Sequence, residues 1–310
     1  MPSNAVPLPP SLRVLERGWL SSNQILLFDD DGATVVDTGY VTEVDDTLRL
    51  IDQALAGRPL KRIVNTHLHS DHAGGNAALQ DRHDCVTWIP PGESEAAAVW
   101  DEDRLSYRPT SQQCPRFRFD ALVHPHQTLH LGGEDWTLLP AEGHDDAMVM
   151  LWCDRQGVLV SADALWEKGF GVIFPELVGE AGFEAQAATL ALIADLAPRV
   201  VIPGHGAPFT AVQPALEAAQ ARLNWLRNEP VKHAEYALKV LVSFKLMEAR
   251  SLSQSAIEAI VQAAFDRQPA LAALYAGREV AAVARDVVAQ LARSGAVQIR
   301  LDGGIDAPAR

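Results

Sequence analysis

Residues 65 to 75 read NTHLHSDHAGG, placing His67, His69, Asp71 and His72 within six positions. No other stretch constrains the fold as strongly. The run KRIVNT leading into it is short and β-branched, and a helix is predicted to begin at AALQ after Gly74 and Gly75. The cluster therefore sits on a strand-to-helix loop. His67 and His69 are two apart, so they cannot share a helical face, but in an extended segment they point the same way. Asp71 and His72 follow where the chain turns. Such a loop aims two imidazoles at one point and a carboxylate plus an imidazole at a second point nearby. It supplies only half of each ligand set, so other segments must fold back onto it. Candidates stand in three places: His144 in AEGHDDAM, Asp163 in VLVSADALW and His205 in VIPGHGAP. Each follows or ends an apolar run beside Gly or Ala, where a small neighbour permits close approach to the backbone.

The rest of the chain is read around that loop. LRVLERGWL and NQILLFDDDGATVVDTG are predicted strands, the second a pair turned at Asp31 and Gly32; residues 41 to 56 read as helical. CVTWIP is a predicted strand, 92 to 100 a helix and 101 to 120 an irregular insertion. Strand candidates around 121–131, 135–140, 147–153 and 157–161 suggest an antiparallel meander. A helix over 183–196 leads to RVVIPGHG, a strand running into another loop. Strands and helices alternate in two batches, which predicts an α/β layered architecture. From about 209 to 295 the pattern is almost wholly helical, with helices near 211–228, 231–248, 254–265 and 277–293 and a closing strand in GAVQIRLDGG. Ser251 with Gln254 matches a capping box before the third of these. The predicted division is a domain over 1–230 and a smaller one over 231–310.

The ordered set VVDTG with Asp37, THLHSDHAGG, GH at His144, SADAL at Asp163 and PGHG at His205 resembles the metallo-β-lactamase superfamily over roughly residues 11 to 230. The resemblance implies an α/β (α+β) fold, a four-layer αββα sandwich with the site at one edge of its two sheets. It further implies that His67, His69 and His144 hold one metal, that Asp71, His72 and His205 hold a second, and that Asp163 bridges both. Asp37 lies outside the ligand pattern and is expected to fix the metal loop through hydrogen bonds. Asp145 and Asp146 could do similar work beside His144. The helix-helix-helix-strand order of the tail looks like the small winged-helix-like domain of one branch of the superfamily, a branch that includes a lactamase-like endoribonuclease. It departs from the glyoxalase II type, whose glutathione-binding motifs are not found here. His83, His124, His126, His130 and His233 match no part of the pattern and are read as structural or exposed.

Imidazole and carboxylate without thiolate suit two divalent ions, zinc first, with iron or manganese as alternatives. Such ions lower the pKa of a bound water toward ~7 and polarise a carbonyl or phosphoryl oxygen. The expected activity is a metal-dependent hydrolase that uses a metal-bridging hydroxide on a small ester, thioester or lactone, with Asp71 orienting the nucleophile or shuttling its proton. One alternative is a metal-dependent phosphodiesterase or endoribonuclease; another is an iron-dependent, non-hydrolytic member of the superfamily.

Charge bears on this choice. The chain of 310 residues carries a formal −14, and residues 1 to 230 alone carry 16 Lys and Arg against 32 Asp and Glu. So acidic a protein repels polyanions, which disfavours nucleic acid as a partner and favours a small molecule. A homodimer is the other partner considered. Cys85, Cys114 and Cys153 are scattered and odd in number, which excludes a CxxC pair or a disulfide framework. MPSNAVPLPP lacks the basic and apolar regions of a secretory signal, and no stretch of 18 uncharged apolar residues follows. The expectation is a cytoplasmic protein away from membranes, which argues against an exported antibiotic-degrading β-lactamase. For substrate contacts, Trp166, Lys168 and Phe170 leave the Asp163 segment on a Gly-containing loop. The insertion interleaves Arg104, Arg108, Arg116 and Arg118 with aromatics, either as a lid for an anionic substrate or as a packed surface loop.

Overall fold

Several strands here are apolar at successive positions rather than alternate ones, a pattern that requires cover on both faces. In the computed structural model that cover is complete. The structure describes residue 6, residues 8–300 and residues 302–307; most of the chain's first seven residues, Leu301 within the expected closing strand, and residues 308–310 lie outside the described part.

The first sheet has the order β1-β2-β3-β4-β5-β6, from β1 (Leu12–Leu15), β2 (Gln24–Asp29), β3 (Gly32–Val36), β4 (Leu60–Val64), β5 (Val86–Ile89) and β6 (Ala121–Leu122). β1 to β3 pair antiparallel and β3 to β6 parallel. The helices α1 (Val44–Leu55), α2 (Ser70–Ala73), α3 (Asn76–His83) and α4 (Ser94–Val99) lie between these strands in sequence. The second sheet runs β11-β10-β9-β8-β7, from β7 (Thr128–Leu131), β8 (Glu134–Pro140), β9 (Val149–Cys153), β10 (Val158–Ala162) and β11 (Val200–Pro203). It is antiparallel except that β11 runs parallel to β10. Between those last two strands come α5 (Phe174–Val178) and α6 (Gly182–Leu196).

Parity along the strands builds the layers. Ile25 and Leu27 of β2 enter a core between the sheets with Leu138 and Leu151, whereas Leu26 packs outward with Ile51, Leu55 and Leu79. In β9, Val149 and Leu151 face the other sheet, while Met150 and Trp152 face outward with Ile193 of α6 and Leu223 of α7 (Val212–Asn228). The result is the expected order of helix, sheet, sheet, helix. The expected meander is shorter than predicted, because 121–131 divides. β6 pairs parallel with β5, Trp88 opposite Ala121, and only β7 onward joins the second sheet. A two-residue strand carries no period to declare its partner.

After α7 come α8 (Pro230–Ala249), β12 (Ser251–Leu252), α9 (Gln254–Arg267), α10 (Pro269–Leu274), α11 (Val280–Arg293), β13 (Gln298–Ile299) and β14 (Ile305–Asp306), with the three short strands paired in the order β12-β14-β13. This helical region has its own core around Leu238, Leu241, Ile257 and Val287, and Val172 and Leu177 of the sandwich insert into it. The cap of α9 is Ser253, whose Oγ accepts from Ala256 N at 3.1 Å. Ser251 instead pairs in β12, so the capping box expected there is not formed.

Topology fixes where a site can be. β3 and β4 run parallel in one sheet, β10 and β11 in the other, and the segments that leave their carboxyl ends meet at one edge of the sandwich. Such edges are the usual place for ligands in layered α/β folds.

Candidate metal centre

Asp37 follows β3, His67 and His69 follow β4, Asp163 follows β10 and His205 follows β11. Two backbone irregularities aim these side chains. Asp37 itself has φ 57°, a left-handed conformation that Asp tolerates better than most residues. Ala162, at φ 46°, sits at a register shift between β10 and β11, and the bulge re-aims the next residue, Asp163. Asp71 and His72 are placed by the single turn of α2.

The side chains form two trios that share a border. His67 Nε2 lies 3.1 Å from His69 Nδ1, which lies 2.9 Å from His144 Nε2. On the other side His205 Nε2 stands 3.2 Å from Asp71 Oδ2, and His72 completes the group. Asp163 reaches both: its Oδ2 is 3.4 Å from His144 Nε2, while its Oδ1 is 3.5 Å from His72 Nε2 and 3.9 Å from His205 Nε2. All seven residues expected at the site are therefore brought together.

The surrounding hydrogen bonds decide which nitrogens carry protons. Thr66 Oγ1 donates to Asp37 Oδ2 at 2.8 Å, so it must accept from His67 Nδ1 at 3.0 Å, leaving the His67 Nε2 lone pair inward. His72 Nδ1 donates to Asp37 Oδ2 at 2.8 Å and His144 Nδ1 to the Val172 carbonyl at 2.6 Å. His69 Nε2 faces Asp145 Oδ2 at 3.5 Å. In the first trio three acceptor nitrogens then face one another at about 3 Å, a repulsion that a cation between them relieves. His72 Nε2 is buried and without a hydrogen-bond partner among the described residues. The donor set fits a dinuclear divalent metal site.

Electrostatics agree. Burial pushes His69 and His144 down to about 4, and burial with the neighbouring imidazoles holds His67 well below its ordinary value, so the first trio is neutral. Burial opposes charge on Asp163, but His72, His205 and His144 outweigh it and keep the carboxyl well below the usual range. Burial likewise opposes charge on His72, which Asp163 and Asp37 raise well above normal. An ion entering beside His72 would displace its proton.

Two glycines permit this crowding. A Cβ on Gly204 would lie 2.3 Å from Asp163 Oδ1, and one on Gly171 would lie 2.4 Å from His144 Nδ1. Further support comes from two residues outside the ligand motifs. Glu93 Oε2 accepts from Leu68 N at 2.9 Å, and Tyr107 donates to the Leu68 carbonyl at 2.8 Å, so both brace the residue between the first two histidines. Neither stands in a motif; only their contacts reveal them.

A cavity of about 590 Å³ opens on the centre. Trp166 lines it and donates from Nε1 to Asp163 Oδ1 at 3.2 Å; Lys168 lines its rim. Phe170 does not: it is fully buried in the core beneath, because the loop turns back through the Trp166–Gly169 bridge. Trp19, not foreseen, stacks on His205 with ring centroids 5.6 Å apart and meets Trp166 edge-on at 5.2 Å. The insertion packs Leu105, Tyr107 and Phe117 inward. Its arginines point away from the cavity, Arg104 to Glu95, Arg108 to Glu102 and Asp103, Arg116 to the Ala98 carbonyl and Arg118 to Asp84. Opposite the centre the wall is made by Arg222 of α7 and by Tyr236, Lys239, Val240, Phe244 and Met247 of α8. Asp146 is exposed, and His83, His130 and His233 stand elsewhere, beside Asp52, Asp135 and Phe183. Among the described residues no helix is long and apolar enough to cross a membrane.

Comparison with known proteins bears on this geometry. The profile of the family described as the metallo-beta-lactamase superfamily matches residues 17–205. A hydroxyacylglutathione hydrolase of Bdellovibrio bacteriovorus is 26% identical over 183 residues, 58% of this chain and 61% of that protein. One from Rhodobacter capsulatus is 30% identical over 156 residues, 50% of this chain and 52% of that protein. The chain thus spans about three-fifths or less of the length of these curated relatives. Among solved structures, a metallo-beta-lactamase family protein from Thermus thermophilus superposes with a TM-score of 0.57 at 18% identity, covering 97% of this chain and 100% of that one. A beta-lactamase domain protein from Burkholderia ambifaria gives 0.56 at 22% identity, covering 98% and 93%. Both likenesses extend across the helical region.

Proposed function

The chain belongs to the metallo-beta-lactamase superfamily, and from that premise we propose that it is a metal-dependent hydrolase of a small ester, thioester or lactone. The observation that carries the reading is the pair of inward-facing trios joined by Asp163, every outer histidine nitrogen of the first being turned toward an acceptor. Relatives named hydroxyacylglutathione hydrolase support attack at an acyl carbon. The cavity, apolar along its helical wall and inside an acidic protein, suits a small molecule better than a nucleic-acid strand.

Two divalent ions, zinc by donor type, would supply Lewis acidity for the carbonyl oxygen and lower the pKa of a water at the site. His67, His69 and His144 would hold one and Asp71, His72 and His205 the other, with Asp163 shared. The protein's own part is positioning and proton movement. Asp71 lines the cavity, and burial, which disfavours its charge, is outweighed by His205, so its carboxylate is ionised. It can take the proton of the attacking water and return it to the departing alkoxide or thiolate. Trp166 and Trp19 screen the His205 side from bulk water.

The test is metal removal. Dialysis against a chelator should abolish esterase and thioesterase turnover, and zinc should restore it with two ions per chain by elemental analysis. A fully metallated protein inert toward a broad panel of esters, thioesters and lactones would overturn the proposal. Iron with oxygen consumption would point instead to non-hydrolytic chemistry.

A further inference from the structure

The helical wall of the cavity carries two cations that the hydrolytic reading leaves unused. Arg222 and Lys239 are half-buried, and among the described residues neither has a carboxylate within ion-pair distance. Their neighbours on the same helices are paired: Arg227 with Glu184 at 3.0 Å, Lys232 with Glu235 at 2.9 Å, and Lys245 with Glu248. In a protein with a formal charge of −14, acids are plentiful, yet among the described residues of these two helices the cations left without one are those that face the cavity.

Arg222 is held in place for a task other than an internal ion pair. Its Cζ lies 4.3 Å from the centroid of the Tyr236 ring and 5.6 Å from that of Phe170. A Cβ on Gly169 would come within 3.0 Å of its Nη1, so the guanidinium abuts the loop that carries Trp166 and Lys168. The Tyr236 hydroxyl donates to the Phe170 carbonyl at 3.3 Å, which fixes the ring beneath the guanidinium. An aromatic face stabilises the cation without neutralising it and leaves the edge donors of the fork available. Lys239 stands three residues further along α8, and burial lowers its ammonium's pKa. Two like charges left together in a partly dehydrated wall are stabilised by an anion placed between them.

We propose that Arg222 and Lys239 are the recognition site for an anionic group, a carboxylate or a phosphate, carried by the substrate away from the bond that is cut. Val240, Phe244 and Met247 line the same wall, so the substrate has an apolar segment between its acyl carbon and its charge. This deepens the hydrolase reading and rests on it.

The experiment compares p-nitrophenyl hydrogen glutarate with p-nitrophenyl pentanoate, matched in length and different in terminal charge, on the metal-loaded protein. The wild-type should prefer the charged ester in kcat/KM by about 10- to 100-fold, the range of one or two charge-assisted hydrogen bonds. In an Arg222→Met, Lys239→Met double variant that ratio should fall to within about twofold of one, whereas Arg222→Lys should keep much of it. A wild-type ratio near one, or a ratio untouched in the double variant, overturns the site. If the double variant melts early, Lys239→Gln alone is read for the same ratio. Should neither ester be cut, the hydrolase reading is decided by the broad substrate panel, and calorimetry with glutarate and with propyl phosphate decides the anion site separately. Binding to the wild-type that the double variant loses upholds it and tells carboxylate from phosphate; no binding of either overturns it.

Discussion

The cavity has two walls made by different rules. On the sandwich side the ligands stand on segments that leave strand ends, and several are locked by a second residue, as His72 is by Asp37 and His144 by the Val172 carbonyl. On the helical side, Tyr236, Val240, Ser243 and Met247 of α8 project from one face of a helix, held by the packing of the opposite face around Leu238 and Leu241. The first wall is held in place largely by such directed hydrogen bonds. The second is set by bulk packing, so its shape can change residue by residue while the centre stays intact. If the chain is the hydrolase proposed, reaction type belongs to the first wall and substrate choice to the second.

The sharpest way to break that division is at Asp163, whose carboxylate oxygens lie near histidines of both trios. Asp163→Ala should lower turnover by about 10³-fold or more, of the order lost when a transition-state electrostatic partner is removed, with metal content falling below two ions per chain. A variant that still binds two ions with undiminished affinity would show that the trios are independent. The next largest effect is one of stability on the other side. Leu238 is fully buried in the helical core, and Leu238→Ala should cost about 2–5 kcal/mol in denaturant unfolding. Metal content at fixed free zinc should stay constant; a parallel loss of metal would mean that the two walls fold as one unit.

How much of this could be read from the sequence follows the same line. The ligands of the first wall were legible because local spacing, two in a strand and then a turn, itself dictates direction, and because the remaining three follow or end apolar runs. Asp37 was legible by its place after such a run. The second wall was not. α8 is apolar on its core face and on its cavity face alike, and periodicity separates apolar from polar faces rather than one apolar face from another. Phe170 was misplaced for a related reason: a loop residue flanked by two glycines reads as exposed until the Trp166–Gly169 bridge turns it inward. The arginines of the insertion suggested a cationic lid, yet most of them meet acids nearby in the chain or across a strand end, and two of the cations that do face the cavity, Arg222 and Lys239, sit in helices where nothing local distinguishes them.

Within the first wall, the locking residues should matter less than the ligands. Asp37 accepts from Thr66 N at 2.9 Å, from Thr66 Oγ1 and from His72 Nδ1. Asp37→Asn keeps a residue that tolerates the left-handed backbone but offers an amide in place of one carboxylate oxygen, so either Thr66 or His72 loses its acceptor. Metal affinity should weaken by about 10- to 100-fold, measured by competition with a chromophoric chelator. Unchanged affinity would make the network decorative and blur the contrast between the walls.

The smallest effect is expected at the seam. Trp19 belongs to the sandwich by sequence, stacks on His205 and meets Trp166, but is 57% exposed and lies beside Met247 of α8 along the cavity. An aromatic contact of that kind contributes about 0.5–1.5 kcal/mol beyond its area, so Trp19→Ala should raise KM by roughly 2- to 10-fold. The two-wall picture adds a stricter requirement. If Trp19 acts with the helical wall, the variant's metal content and metal affinity match the wild-type and the whole change appears in KM. If it acts by holding the His205 ring, whose Nδ1 has no hydrogen-bond partner among the described residues, metal affinity falls as well. A stacked indole would then be serving where the other histidines use a hydrogen bond, and Trp19→Phe, which restores a ring but not its full area, should recover metal affinity ahead of KM.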